Sequence, residues 1–235
     1  MKNNETLSDK RLVFINYLLS QSKQGKRKLP PIADIAETLG LSIPNVREYI
    51  ANAKLLGLVS IQPRTGIHIL PFDFSPAIST SLYYAVNTNY DYFEQYSELR
   101  NQIEKAYFHT AVSKLDNNHI AQLLKIVETA IGQLEGNPIR IPHEAHKEFH
   151  LSIYKPLQNV FIDGLLHAYW DMYEMVGLNT YTDISYLRSV WGYHKDIAVA
   201  ISNSELEIAF QLLEDHIALL KSREEKQRSP IDATK

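Results

Sequence analysis

The chain has 235 residues, 45% of them hydrophobic and 22% charged, and no cysteine. That length holds one large domain or two ordinary ones, the composition is globular, and disulfides and thiolate-bound metals are excluded. Net charge is −3, yet residues 1–72 carry 10 Lys/Arg against 5 Asp/Glu (+5) while residues 73–235 carry 14 against 22 (−8). A basic head on an acidic body is the charge footprint of a nucleic-acid-binding module joined to a second domain. The N-terminus MKNNETLSDK has no apolar signal core, and no stretch approaches the roughly 20 apolar residues of a membrane span. A cytoplasmic location without membrane contact is therefore expected.

Residues 1–8 are polar and expected to be mobile. Asp9 to Ser22 reads as a first helix with Leu12, Ile15, Leu18 and Leu19 on one face. Gln21 to Lys28 is basic (Lys23, Lys26, Arg27, Lys28) and reads as a solvated loop, with phosphate contact the lesser alternative. Ile32, Ile35, Ala36 and Leu39 then repeat at helical spacing, and Gly40 ends that helix. Ser42 is the N-cap of the next, with Pro44 in its first turn and Val46, Ile50, Ala53 and Leu56 as its apolar face. Gly57 stops it. Val59 and Ile61, then Ile67 and Ile69, alternate with polar residues around Pro63-Arg64-Thr65-Gly66, a hairpin pattern.

Two helices, a short Gly-containing turn and a hairpin make a winged helix-turn-helix. Small helical domains with no nucleic-acid role share that geometry. The side chains favour DNA. Asn45, Arg47, Asn52 and Lys54 are types suited to base edges and phosphates, and Arg64 and Thr65 sit beside Gly66 at the wing tip. The DNA-binding set read here is Ser42, Asn45, Arg47, Arg64, Thr65 and Gly66.

Pro71 to about Tyr90 is a composition break with two Pro and no basic residue in its first half, and reads as a linker. Beyond it the pattern is helical throughout: Tyr92 to His109, Asn117 to Glu135, His143 to Tyr154, Val160 to Leu178, Tyr186 to Ser202, and Ser204 (as N-cap) to Lys226. The fold class expected is mainly α: a winged helix at 1–72, a linker at 73–90, an all-helical bundle at 91–226 and a flexible tail at 227–235.

Four of the nine histidines stand out. His146 and His150 are i, i+4 and leave one helical face, His194 lies on a later helix, and His216 on the last. Neutral imidazoles so placed suit zinc, nickel, copper or iron. Each ligand must lose its proton, so metal affinity is expected to fall as pH drops through the imidazole range near about 6.5. Three readings stay open: a divalent metal centre that senses a ligand, a polar pocket lining without metal, and a hydrolytic metal centre. His68, His109, His119, His143 and His167 show no such grouping. No nucleophile elbow, phosphate loop or dinucleotide fingerprint is present, which argues against an enzyme.

Leu29-Pro30, Ala36-Glu37-Thr38-Leu39-Gly40, Val46-Arg47-Glu48, Gly57-Leu58-Val59 and Arg64-Thr65-Gly66 resemble the winged helix of the GntR family of bacterial transcription regulators. His146-Lys147-Glu148-Phe149-His150, then His194, then His216, is similar to the FadR-type all-helical effector domain of its FCD subgroup. Arg100 with Glu104 matches the start of that domain, and Asn159 a frequent asparagine after its third helix. The resemblance runs from residue 9 to about 222. It implies a homodimer on operator DNA and a small organic-acid effector. It also implies one metal, zinc first and nickel second, on His146, His150, His194 and His216, and it marks Arg100 and Asn159 as effector-binding residues. The sequence departs from the family at three places. His146 stands where Asp is usual, so the site is all imidazole, and Ala33 and Ile43 replace two familiar DNA-contacting arginines.

Overall fold

The computed structural model describes residues 5–178 and 183–228. They are mainly helical, with one two-stranded sheet. The chain divides into two compact units, Met1–Ser81 and Leu82–Lys235.

The first unit contains α1 (Glu5–Lys23), α2 (Ile32–Leu39), α3 (Ile43–Leu55), β1 (Val59–Gln62) and β2 (Gly66–Ile69). Gly40 takes φ +60° and closes α2 through backbone bonds to Ala36 and Glu37. The Ser42 hydroxyl accepts from Asn45 N–H, so α3 starts where its cap dictates. Val46, Tyr49, Ile50 and Ala53 are buried on the inner face of α3, and Leu56 is exposed. On α1 the buried residues are Phe14, Tyr17 and Leu18, while Leu12 and Leu19 are exposed. Of the expected face Leu18 is buried and Ile15 packs on the core, but Phe14, against Tyr49, and Tyr17, against Phe14, take the place of Leu12 and Leu19. The hairpin pairs Val59 with Ile69 and Ile61 with Ile67. Arg64 at φ +68° and Gly66 at φ +97° turn it around a three-residue loop.

Gly57 is needed for two reasons. Its φ is +72°, and a Cβ there would lie 2.6 Å from Pro76 Cγ. Gly57→Ala is expected to destabilise this unit by at least about 1 kcal/mol from the left-handed backbone alone. Urea unfolding followed by circular dichroism measures it, and a variant with the parental midpoint would contradict the contact.

The stretch expected as a linker is largely helical: α4 spans Ser75–Thr88. Pro76 sits in its first turn, where a missing N–H costs nothing, and Asp73 Oδ1 accepts from Ser75 N–H. Val86 joins Phe93, Tyr169, Trp170, Met172 and Leu178 in a small apolar cluster.

The second unit is built from α5 (Asp91–Val112), α6 (Asn117–Glu135), α7 (His143–Tyr154), α8 (Val160–Met175), α9 (Ile184–Ser202) and α10 (Leu206–Arg228). Asp116 caps α6 in a capping box with His119. A 3₁₀ turn at Lys155–Leu157 ends the α7 arm. Leu123, Phe149, Ile153, Leu166, Trp191 and Leu213, among others, form the main core. Ser204 is not the cap of the last helix. It lies at φ +63°, with its N–H on Ile201 and the Glu205 N–H on Ala200, the paired bonds that terminate α9. Residues 1–4, 179–182 and 229–235, which include most of the expected tail and part of the expected connection before α9, lie outside the described residues.

Candidate metal centre and nucleic-acid face

His146 and His150 lie one turn apart on α7, His194 on α9 and His216 on α10, and the bundle core brings all four together. One ring nitrogen from each lies within 4.8 Å of the others. His194 Nε2 is 3.3 Å from His150 Nε2 and 3.2 Å from His216 Nε2. The edges of a tetrahedron around zinc, with Zn–N of about 2.0–2.1 Å, are about 3.3–3.4 Å, so these separations fit a common ion. Nδ1 of His194 and of His216 has no hydrogen-bond partner among the described residues, although both residues are fully buried. Three Nε2 atoms packed this closely fit a common bound cation.

His150, His194 and His216 are fully buried. Burial first, and cationic neighbours second, push all three well below the ordinary imidazole range. They stay neutral at pH 7, the form a metal requires. An ion held by these rings would be released at a pH below the value near about 6.5 expected from free imidazole. His146 is the one member whose side chain reaches outward, with its Nε2 still buried. It borders a pocket of about 20 Å³ with Pro142, Tyr173, Tyr186, Val190 and Trp191 in its walls. That is space for roughly one water molecule.

The lowered values fix a sign for acid stability without metal. An unfolded imidazole takes up a proton near about 6.5, the buried ones only at lower pH. As pH falls below about 6.5 the unfolded chain gains protons first, so stability is full above that value and lost below it. The loss is at most about 1.4 kcal/mol per pH unit for each of the three. Chelator-treated protein should melt at a constant temperature from pH 8 to 7 and at falling temperatures below 6.5. A flat profile down to pH 5 would contradict the neutral buried rings.

Behind the cluster α5 supplies a charged pair. Arg100 Nη2 lies 2.8 Å from Glu104 Oε1 and 2.9 Å from His150 Nδ1. Glu104 Oε2 is 3.3 Å from the same Nδ1. Both side chains are buried, and the guanidinium lies over the Tyr169 ring at 4.8 Å. Burial raises the Glu104 pKa, against the opposing pull of Arg100. Arg100 is thus placed beside the cluster, held from inside. Asn159 is placed elsewhere: it is exposed, and its Oδ1 caps α8 through Phe161 and Ile162 N–H. Sequence reasoning noted Glu104 only as a partner for Arg100. Its approach to His150 crosses from one helix to another, which no local spacing reveals.

On the first unit Arg47, Asn52 and Lys54 are exposed on α3 and Asn45 half-buried. The Ser42 hydroxyl is engaged in capping. At the wing tip Arg64, Thr65 and Gly66 are exposed, and Thr65 Oγ1 donates to Gln62 Oε1. The basic run before α2 is no free loop. Leu29 N–H bonds Ile67 O and Ile69 N–H bonds Arg27 O, which lays Arg27-Lys28-Leu29 along β2. The Lys28 side chain passes beside Gly66. Lys28 therefore joins Arg64 on the wing, an addition that only strand pairing reveals.

A sequence model of the FCD domain matches residues 95–219. The Uxu operon transcriptional regulator of Escherichia coli (strain K12) is 24% identical over 201 residues, spanning 83% of this chain and 77% of its own length. Among solved structures, Streptococcus agalactiae GntR superposes with a TM-score of 0.67 at 17% identity, covering 91% of this chain and 99% of its own. Escherichia coli McbR/YncC superposes with a TM-score of 0.50 at 18% identity, covering 93% and 98%.

Proposed function

The chain belongs to the FCD-domain branch of the GntR-type transcription regulators, and from that premise we propose that it is a metal-dependent, ligand-responsive DNA-binding regulator. It is a regulator and not an enzyme, as its family and relatives are. The winged helix reads an operator half-site, with Arg47 and Asn45 in the major groove, Ser42 at the entry of the reading helix, and Arg64, Thr65, Gly66 and Lys28 along the backbone or minor groove. A homodimer places two heads on half-sites about 34–36 Å apart. The protein works in the cytoplasm, where its DNA is, and none of its described helices is long and apolar enough to cross a membrane.

The convergence of four imidazoles carries the sensing half of the reading. His146, His150, His194 and His216 hold one divalent ion, zinc by preference and nickel next, because an all-nitrogen set favours these over oxygen-loving ions. The ion supplies a positive centre for an oxygen of a small carboxylate. His146 is the member open to the outer pocket, so the effector enters on that side. A pocket with room for one water has to widen to admit an organic acid, which moves walls on α7, α8 and α9. A polar pocket without metal is the second reading. The short Nε2 to Nε2 separations favour the first.

Fluorescence anisotropy with the DNA upstream of its own gene tests the whole. The zinc-loaded protein should prefer that DNA to unrelated sequence, and one member of a panel of small organic acids should change its affinity by about 5-fold or more. Equal affinity for both DNAs would end the regulator reading. A response to acids that persists unchanged in metal-stripped protein would select the reading without metal.

A further inference from the structure

His150 is caught between two partners of opposite character. A guanidinium donates and never accepts, so the 2.9 Å contact from Arg100 Nη2 requires a bare, accepting Nδ1 on His150. A neutral ring with bare Nδ1 carries its proton on Nε2, which faces His194 Nε2 at 3.3 Å. In that tautomer the His150 lone pair lies on Nδ1, against Arg100, and Nε2 has none to give an ion. To act as a ligand through Nε2 it must carry the proton on Nδ1, and that proton needs an acceptor. Glu104 Oε2, 3.3 Å from Nδ1, is placed to be one. The Nδ1 atoms of His194 and His216 have no hydrogen-bond partner. Among these three buried rings, His150 is the one with a carboxylate oxygen at ion-pair distance from its Nδ1.

We propose that Arg100 and Glu104 form a tautomer selector for the metal centre. Arg100 holds His150 in the form that cannot ligate, and Glu104 accepts Nδ1–H and holds it in the form that can. Metal uptake then moves one proton across the ring, from Nε2 to Nδ1, and exchanges the Arg100 contact for the Glu104 contact. No atom is gained or lost by the protein in this step. The pair is isolated from solvent and joined by its own 2.8 Å ion pair, so a displaced guanidinium keeps its counter-charge. Arg100 and Glu104 are positioning residues in this account: they touch His150 and act on the ion through it. The inference rests on the metal reading above and adds the residues that govern occupancy.

The test uses full-length protein, zinc as the probe, and nitrogen-15 spectra of the histidine rings. Metal-free protein should show His150 protonated on Nε2, and zinc-loaded protein should show it protonated on Nδ1. Glu104→Gln should lower zinc affinity about 10- to 100-fold, the range for losing an outer-sphere partner. It should also lower the melting temperature of the metal-free form, because buried Arg100 loses its counter-charge, so affinities are compared at a temperature where both proteins are folded. His119, on the surface, serves as a reference ring whose tautomer does not respond to zinc. If wild-type protein takes up no zinc, the metal reading falls and this inference with it. If zinc binds and His150 keeps one tautomer throughout, or Glu104→Gln binds zinc as wild type does, the inference alone is overturned. Should Glu104→Gln fail to fold, the wild-type spectra decide the matter by themselves.

Discussion

Removing metal from this protein is expected to lower the melting temperature of its helical unit by about 8–16 °C. An ion that binds the native state and not the unfolded chain stabilises by RT ln(1 + [L]/Kd), about 4.1 kcal/mol at a free concentration 1,000 times Kd. For a chain of this size each kcal/mol is worth about 2–4 °C. The effect should be large because the four ligands come from α7, α9 and α10, so one ion ties three helices that meet in the core. Loss of the ion leaves buried imidazole Nε2 atoms crowded at 3.2–3.3 Å. Scanning calorimetry of zinc-loaded and chelated protein, with elemental analysis of both, measures it. Stoichiometric metal should accompany the higher transition. Equal transitions with no metal in either sample would reduce the four histidines to a polar core.

What was readable in the sequence follows from range. His143–Tyr154 and Asn117–Glu135 are legible to the residue because their stops are local: Pro142, a cap at Asp116, and Gly136 just past the end. The i, i+4 pair of His146 and His150 is local too, and with it the direction in which two ligands point. The union of these with His194 and His216 came from resemblance, and the bundle supplies its physical cause. Three features depended on distant partners and were missed. The Pro- and Ser-rich stretch near Pro76 reads as linker because its composition is that of loops, yet Val86 finds an apolar cluster with Phe93 and Tyr169 and the segment is helical. The stripe Leu12, Ile15, Leu18 and Leu19 reads as the inward face of α1, and Leu18 and Ile15 do face the core, but contact with Tyr49 selects Phe14, with Tyr17 against it, over Leu12 and Leu19. Ser204 has the residue type of an N-cap, but the chain reverses there and needs a left-handed residue to close α9. Glu104 belongs with them: its carboxylate matters through a ring on another helix.

Arg47→Ala is expected to weaken operator binding by about 1–3 kcal/mol, or roughly 5- to 150-fold, and to relax base preference at one position of each half-site. Arg47 is exposed one position from buried Val46 and two from buried Tyr49, so the core fixes the helix that carries it while the guanidinium stays free to reach a base. Two arginines usual in the family are replaced here by Ala33 and Ile43, and Ile43 is exposed at the first position of α3. With those side chains gone, the proposed reading puts a larger share of the discrimination on Arg47. Lys28 provides the contrast within the same surface. Lys28 is held along β2 beside Gly66, and the proposed reading gives it a phosphate and not a base edge. Lys28→Ala should therefore lower affinity about equally for operator and unrelated DNA, and flatten the dependence of log K on log salt by about one contact. Binding isotherms for both variants, on both DNAs and at several salt concentrations, separate the two roles. A uniform loss for Arg47→Ala with base preference intact would move it from reading the sequence to holding the backbone, and the specificity would then have to come from Asn45 and Asn52.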